Sequence, residues 1–115
     1  MADKKYDLED RLVDFAAKTA ILAENLPKNF TGNYYGSQLL RSGGSSALNF
    51  GEAQGTNTDR DYINKASICL KELKETRVNL KILKKLNYGD STIEKLLDEA
   101  EQLIKIIATI IRNKK

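Results

Sequence analysis

The chain has 115 residues, 41% of them hydrophobic, enough for one buried core and too few for two. It carries a formal charge of +3, no histidine and a single cysteine, Cys69, which excludes an internal disulfide and leaves any structural zinc site without its usual ligands. No stretch approaches the roughly 18 apolar residues that span a bilayer, and the start MADKKYDLED has no apolar run after its lysines, so a soluble, cytoplasmic protein with no membrane partner is expected.

The first element is predicted over residues 7–26. Leu8, Leu12, Phe15, Thr19, Leu22 and Leu26 advance by 4, 3, 4, 3 and 4, the spacing that lines one face of a helix. Pro27 disfavours helical geometry for the residue before it and sets the stop near Leu26. A loop through Phe30, Thr31 and Gly32 is expected next.

The second element is predicted over 34–54 and contains RSGGSSALNFGEAQG at 41 to 55. Four glycines and three serines suggest either a ligand-cradling loop or a thinned helix. A phosphate loop would follow a strand and read GxxxxGK[ST] or GxGxxG, and neither pattern is present. At helical spacing Gly43, Ala47 and Gly51 form a narrow strip, while Leu39, Ser42, Ser46, Asn49, Phe50 and Ala53 continue a face that Tyr35 begins. Glycine inside a helix costs about 1 kcal/mol relative to alanine, so the reading requires a neighbouring backbone pressed against the strip. Gly55 marks the end.

The third element, 58–87, opens on Thr58 with Asp61 three residues on, a start resembling a capping box. Its apolar seam is Tyr62, Ala66, Cys69, Leu73, Thr76, Leu80 and Leu83, and Gly89 is the expected stop. Ser91 and Glu94 suggest a second capping box for the fourth element, 91–112, with the seam Ile93, Leu96, Leu97, Ala100, Leu103, Ile104, Ile107 and Ile111. Nothing alternates with the period of a strand, and no repeat or linker is visible. An all-α, antiparallel up-down-up-down four-helix bundle in a single domain over 1–115 follows.

Two blocks, RSGGSSALNFGEAQG at 41–55 and DYINKASICLKELKETRVNLKIL at 61–83, resemble the bacterial four helix bundle proteins named for the 23S ribosomal RNA intervening sequence, relatives of the accessory proteins of diversity-generating retroelements. The likeness runs from about Tyr6 to Ile111. It implies a ring-like homo-oligomer, a pentamer, and in the retroelement relatives a basic surface that engages RNA and a reverse transcriptase. The chain departs from the common wording at Leu48-Asn49-Phe50-Gly51-Glu52, where many members read closer to N-I-A-E-G; Asn49 and Glu52 are kept.

Three constellations are candidates for function. Residues 58–115 hold thirteen Lys/Arg against nine Asp/Glu, while residues 1–57 hold six against seven, so the basic surplus sits in the C-terminal half. Lys74, Arg77, Lys81 and Lys84, widened by Lys71 and Lys85, form a row able to track RNA or DNA phosphates, or else an ordinary solvated face. No aromatic interleaves with the row, which argues against base stacking on single strands. The fourth element's apolar arc is wider than one bundle requires, which nominates Leu103, Ile104, Ile107, Ile110 and Ile111 as an interface between subunits, or as a deeply buried helix. Arg41, Ser42, Ser46, Asn49 and Glu52 are expected to form a polar packing network with Glu72, Glu75, Thr76 or Arg77.

Catalysis finds little support. Glu52, Glu72 and Glu75 lack the histidines of a di-iron bundle, Cys69 lies on the core seam, and the serines have no histidine base. The expected function is a non-catalytic oligomeric adaptor, without cofactor or metal, that binds nucleic acid or a nucleic-acid enzyme. The rival is a structural or protein-interaction homo-oligomer with no nucleic-acid role.

Overall fold

The computed structural model describes residues 7–115; the MADKKY start lies outside them. Four helices follow one another: α1 (Leu8–Glu24), α2 (Phe30–Gln54), α3 (Asp59–Lys85) and α4 (Thr92–Lys114). Each packs on its successor and α1 closes loosely on α4, with no diagonal contact among the described residues. Cross-helix ion pairs fix the direction: Glu52 meets Lys65 and Arg41 meets Glu72, while Arg77 meets Glu101 and Lys84 meets Glu94. Numbers rise on one helix as they fall on the next, so the bundle runs up-down-up-down, as the periodicities require.

The predicted seams form the core. Leu12, Phe15, Leu39, Leu73, Leu80, Leu83, Leu103 and Ile107 are all but fully buried, each contributing about 1.5–3 kcal/mol over an exposed position. Phe50 and Tyr62 meet edge to face at 6.4 Å between ring centres. Thr19, the polar member of the first seam, satisfies its hydroxyl by donating to the Ala16 carbonyl at 2.8 Å.

Several boundaries differ from expectation for local reasons. α1 ends at Glu24, and Leu26 stays buried as the chain turns. α2 begins at Phe30, where a loop was expected, because Asn29 caps it: the Asn29 carboxamide oxygen accepts from the Gly32 amide at 2.8 Å, a cap worth about 1 kcal/mol. Gly32 suits that turn because a Cβ there would fall on the Pro27 carbonyl.

α3 opens as predicted, with the Thr58 hydroxyl accepting from the Asp61 amide at 3.1 Å. It closes earlier than Gly89. The Tyr88 amide donates to the Leu83 carbonyl and the Asn87 amide to the Lys84 carbonyl, both at 3.0 Å, with Asn87 at φ 60°. This is a Schellman ending with asparagine in the left-handed position usually held by glycine. Gly89, at φ 82°, serves the following turn, where a Cβ would strike Ile93.

The expected Ser91–Glu94 capping box is absent. Ser91 has helical backbone angles and makes no side-chain cap bond. Asp90 takes the role, accepting from the Thr92 hydroxyl at 2.7 Å and the Thr92 amide at 2.9 Å, while Glu94 pairs with Lys84 at 2.6 Å.

The Gly43, Ala47, Gly51 strip is half correct. A Cβ on Gly43 would overlap the Thr19 hydroxyl, so α1 and α2 do press together there. At Gly51, and at Gly44, a Cβ would meet nothing within 4 Å.

Candidate nucleic-acid interface

α3 carries the basic row, and the structure divides it. Positions 77 and 84 fall on the side of α3 that faces α4: Arg77 meets Glu101 at 3.3 Å and Lys84 meets Glu94 at 2.6 Å. Lys71, Lys74, Lys81 and Lys85 are exposed and form no ion pair among the described residues. At 100° per residue these four fall within an arc of roughly 80° on the outward side, over about 20 Å of helix. The spacing 3, 4, 3 read from the sequence therefore joined two electrostatically different sets, one ion-paired to α4 and one facing outward.

The surface beneath the outward lysines is a shallow groove of about 650 Å³ lined by Leu70, Lys71, Lys74, Glu75 and Val78. Glu75 is the one carboxylate in it, and Arg41 of α2 neutralises it. The Arg41 guanidinium bonds both Glu75 and Glu72, the latter at 3.1 Å, and its hydrogen bond holds the Glu75 carboxyl below the usual carboxylate range.

Behind that pair lies the polar network, smaller than expected. The Ser42 and Thr76 hydroxyls meet at 2.7 Å in the core, and Thr76 also donates to the Glu72 carbonyl at 2.9 Å. Arg41, Ser42, Glu72, Glu75 and Thr76 thus come together. Ser46 donates to its own helix at the Gly43 carbonyl, Asn49 bonds Ser45, and Glu52 is held by Lys65, so these three do not join. The considered Glu52, Glu72, Glu75 cluster is accordingly not assembled.

The fourth helix also departs from the interface expectation. Leu103, Ile104, Ile107 and Ile111 are buried inside the chain's own bundle, and of the nominated residues Ile110 alone is partly accessible. α4 spends its wide apolar arc on α3 and on the wedge where α1 splays away.

That wedge is a depression of about 940 Å³, floored by Phe15, Leu22 and Leu96. Arg11 closes one end by bonding Glu99 at 2.5 and 2.8 Å and Gln102 at 2.6 Å. Its rim mixes Lys18 and Lys95 with Asp14 and Asp90, so it presents no single sign to a polyanion, unlike the α3 face.

The model of the 23S rRNA-intervening sequence proteins matches residues 4–109, nearly the whole chain. The chain belongs to that family. The crystal structure of a protein of unknown function from the S23 ribosomal protein family of Bacteroides thetaiotaomicron is similar to it, with a TM-score of 0.81 and 29% sequence identity, covering 91% of this chain and 98% of the other. No curated protein matches. For this member of the 23S rRNA-intervening sequence family, no described helix is long and apolar enough to cross a membrane.

Within this family member, Cys69 is fully buried and its thiol is pushed up to about 12 by burial, the behaviour of a core residue. Sequence reasoning did not single out Tyr34 and Phe30, which α2 holds exposed, Tyr34 in a cleft with Val78 and Ile82 of α3. Their signal was available only through the antiparallel register, which sets α2 position 34 against α3 position 82.

Proposed function

We propose that the protein is a non-catalytic adaptor that holds nucleic acid, or an enzyme working on nucleic acid such as a reverse transcriptase, against the outward face of α3. One observation carries this reading: Lys71, Lys74, Lys81 and Lys85 share one outward arc and form no ion pair among the described residues, while the carboxylates nearby bond other cations, Glu75 to Arg41, Glu101 to Arg77 and Glu94 to Lys84, with Lys71 adding only a longer-range attraction to Glu75. Unpaired cations at this density favour a polyanion through counterion release. The inert Cys69 and the ion-paired carboxylates support a role without chemistry of its own.

The test is position-specific. Fluorescence anisotropy with a short RNA at low salt is expected to show weaker binding for Lys74→Gln and Lys81→Gln, and little change for Lys84→Gln, whose charge is already spent on Glu94. Equal effects at all three positions, or none, would defeat the assignment of the face.

A second reading, a homo-oligomer built on the outward face of α2, has its own support. Gly44 and Gly51 cost helix stability with no neighbour among the described residues that needs them small, and Leu40 and Leu48 stand exposed on the same side, Leu48 by 69%. Close approach of a second copy supplies the missing reason. Light scattering is expected to report a multimer, a pentamer on the family pattern, that Leu48→Glu dissociates without unfolding. A wild-type monomer at high concentration refutes this reading. Ile107→Asp would not serve, because that residue is sealed in the core and its change unfolds the bundle.

A further inference from the structure

The outward lysine row has no aromatic of its own, but α2 places two beside it. Glu52 meets Lys65 and Arg41 meets Glu75, so in this antiparallel pair each step down α2 matches about a step up α3. Tyr34 therefore comes to Ile82, and the two share a cleft of about 170 Å³ with Val78 and Asn79. One turn further the same register brings Phe30 toward Leu86. Phe30 is 91% exposed and Tyr34 55%, while Tyr35 packs against Tyr34 edge to face at 5.1 Å and fixes its position.

Two further features make the cleft more than an apolar patch. Asn79 sets a buried polar side chain in its wall, its carboxamide oxygen sealed from solvent and without a hydrogen-bond partner among the described residues. The cleft also adjoins the lysine groove, the two sharing Glu75 and Val78, and Lys81 and Lys85 continue along the same side of α3. Exposed aromatic rings and a cationic row thus lie side by side.

We infer that this surface binds a single-stranded polynucleotide, with bases stacked on Tyr34 and Phe30 and phosphates along Lys74, Lys81 and Lys85. The inference rests on the α3 reading and names its substrate. Only a single strand can offer base faces to the rings, since a duplex buries them in its own stack.

The experiment compares a twelve-nucleotide oligouridylate with an RNA duplex of equal length at low salt, using the full chain. The single strand is expected to bind tighter. Phe30→Ala with Tyr34→Ala is expected to weaken it about tenfold or more while leaving duplex binding unchanged, and Tyr34→Phe, which keeps the ring, is expected to retain affinity. Both positions are exposed, so the bundle remains folded. Equal affinity for the two probes, or indifference to the double alanine change while lysine-to-glutamine changes still weaken binding, overturns the stacking site and spares the lysine face. Binding of neither probe overturns both, and leaves a protein partner as the occupant of the face.

Discussion

Gly43 of α2 lies so close to Thr19 of α1 that a Cβ at position 43 would overlap the Thr19 hydroxyl and stand 3.4 Å from its Cβ. Gly43→Ala is therefore expected to cost about 1–3 kcal/mol despite alanine's better helix propensity, because the clash is with a buried, hydrogen-bonded group. Removing the hydroxyl with Thr19→Ala should recover part of that loss in the double variant. Gly44→Ala has the opposite expected sign, a gain of up to about 1 kcal/mol for the isolated bundle, since nothing stands within 4 Å. Urea melts of the four variants in dilute solution measure all of this; equal effects at 43 and 44 would contradict it.

The Ser42–Thr76 pair should behave as a unit. Thr76→Val leaves the Ser42 hydroxyl buried without its partner and is expected to cost about 1–3 kcal/mol, whereas Ser42→Ala costs less because Thr76 retains the Glu72 carbonyl. Changing both removes the orphaned group, so the double variant should be more stable than Thr76→Val alone. Thermal melts that instead show strict additivity would mean the two hydroxyls do not act together.

Acid should weaken the α2–α3 contact first at Arg41. Arg41 depresses the Glu75 carboxyl, so its share of stability is complete above the ordinary carboxylate range and is lost as pH falls through the lowered value. Arg41→Met is expected to flatten the acid limb of a stability-against-pH curve and to return the Glu75 titration, followed by carboxyl NMR, toward its usual position. A Glu75 midpoint unmoved by that change would remove the cause assigned here. The effect is modest, as Glu75 and Arg41 are both about half exposed and solvent screens them.

Much of this was legible in the sequence, and the failures share a cause. Apolar periodicity found four helices and nearly every core residue, from Leu12 to Ile111, because burial acts through spacing that a linear chain displays. The 41–55 stretch was correctly a helix. Asn29 and Asn87 were overlooked as cap and stop because their roles depend on local backbone angles rather than on a repeating pattern. The basic row was read as one face because spacing cannot say which edge of α3 will find Glu94 and Glu101 on a neighbouring helix. Ser46, Asn49 and Glu52 share a helix face with Ser42 but satisfy themselves within α2 or at Lys65. Tyr34 comes beside Ile82 only through the register of two helices, which no spacing within α2 displays.

Cys69 provides a probe of the core. Its thiol, pushed up to about 12 and fully buried, is expected to resist iodoacetamide near pH 8 in the folded protein and to react readily in urea. Mass spectrometry of the alkylated chain reads this directly, and rapid labelling without denaturant would mean that α3 leaves the core far more often than its packing implies.

The most direct test of the central claim is the salt dependence of RNA binding by wild type and by the variant with Lys71, Lys74, Lys81 and Lys85 all changed to glutamine. Each lysine that neutralises a phosphate contributes about 0.7 to the slope of log affinity against log salt for a single strand. A steep wild-type slope that flattens by about 2–3 in the variant is the predicted result; a slope and affinity the same in both proteins would contradict the account.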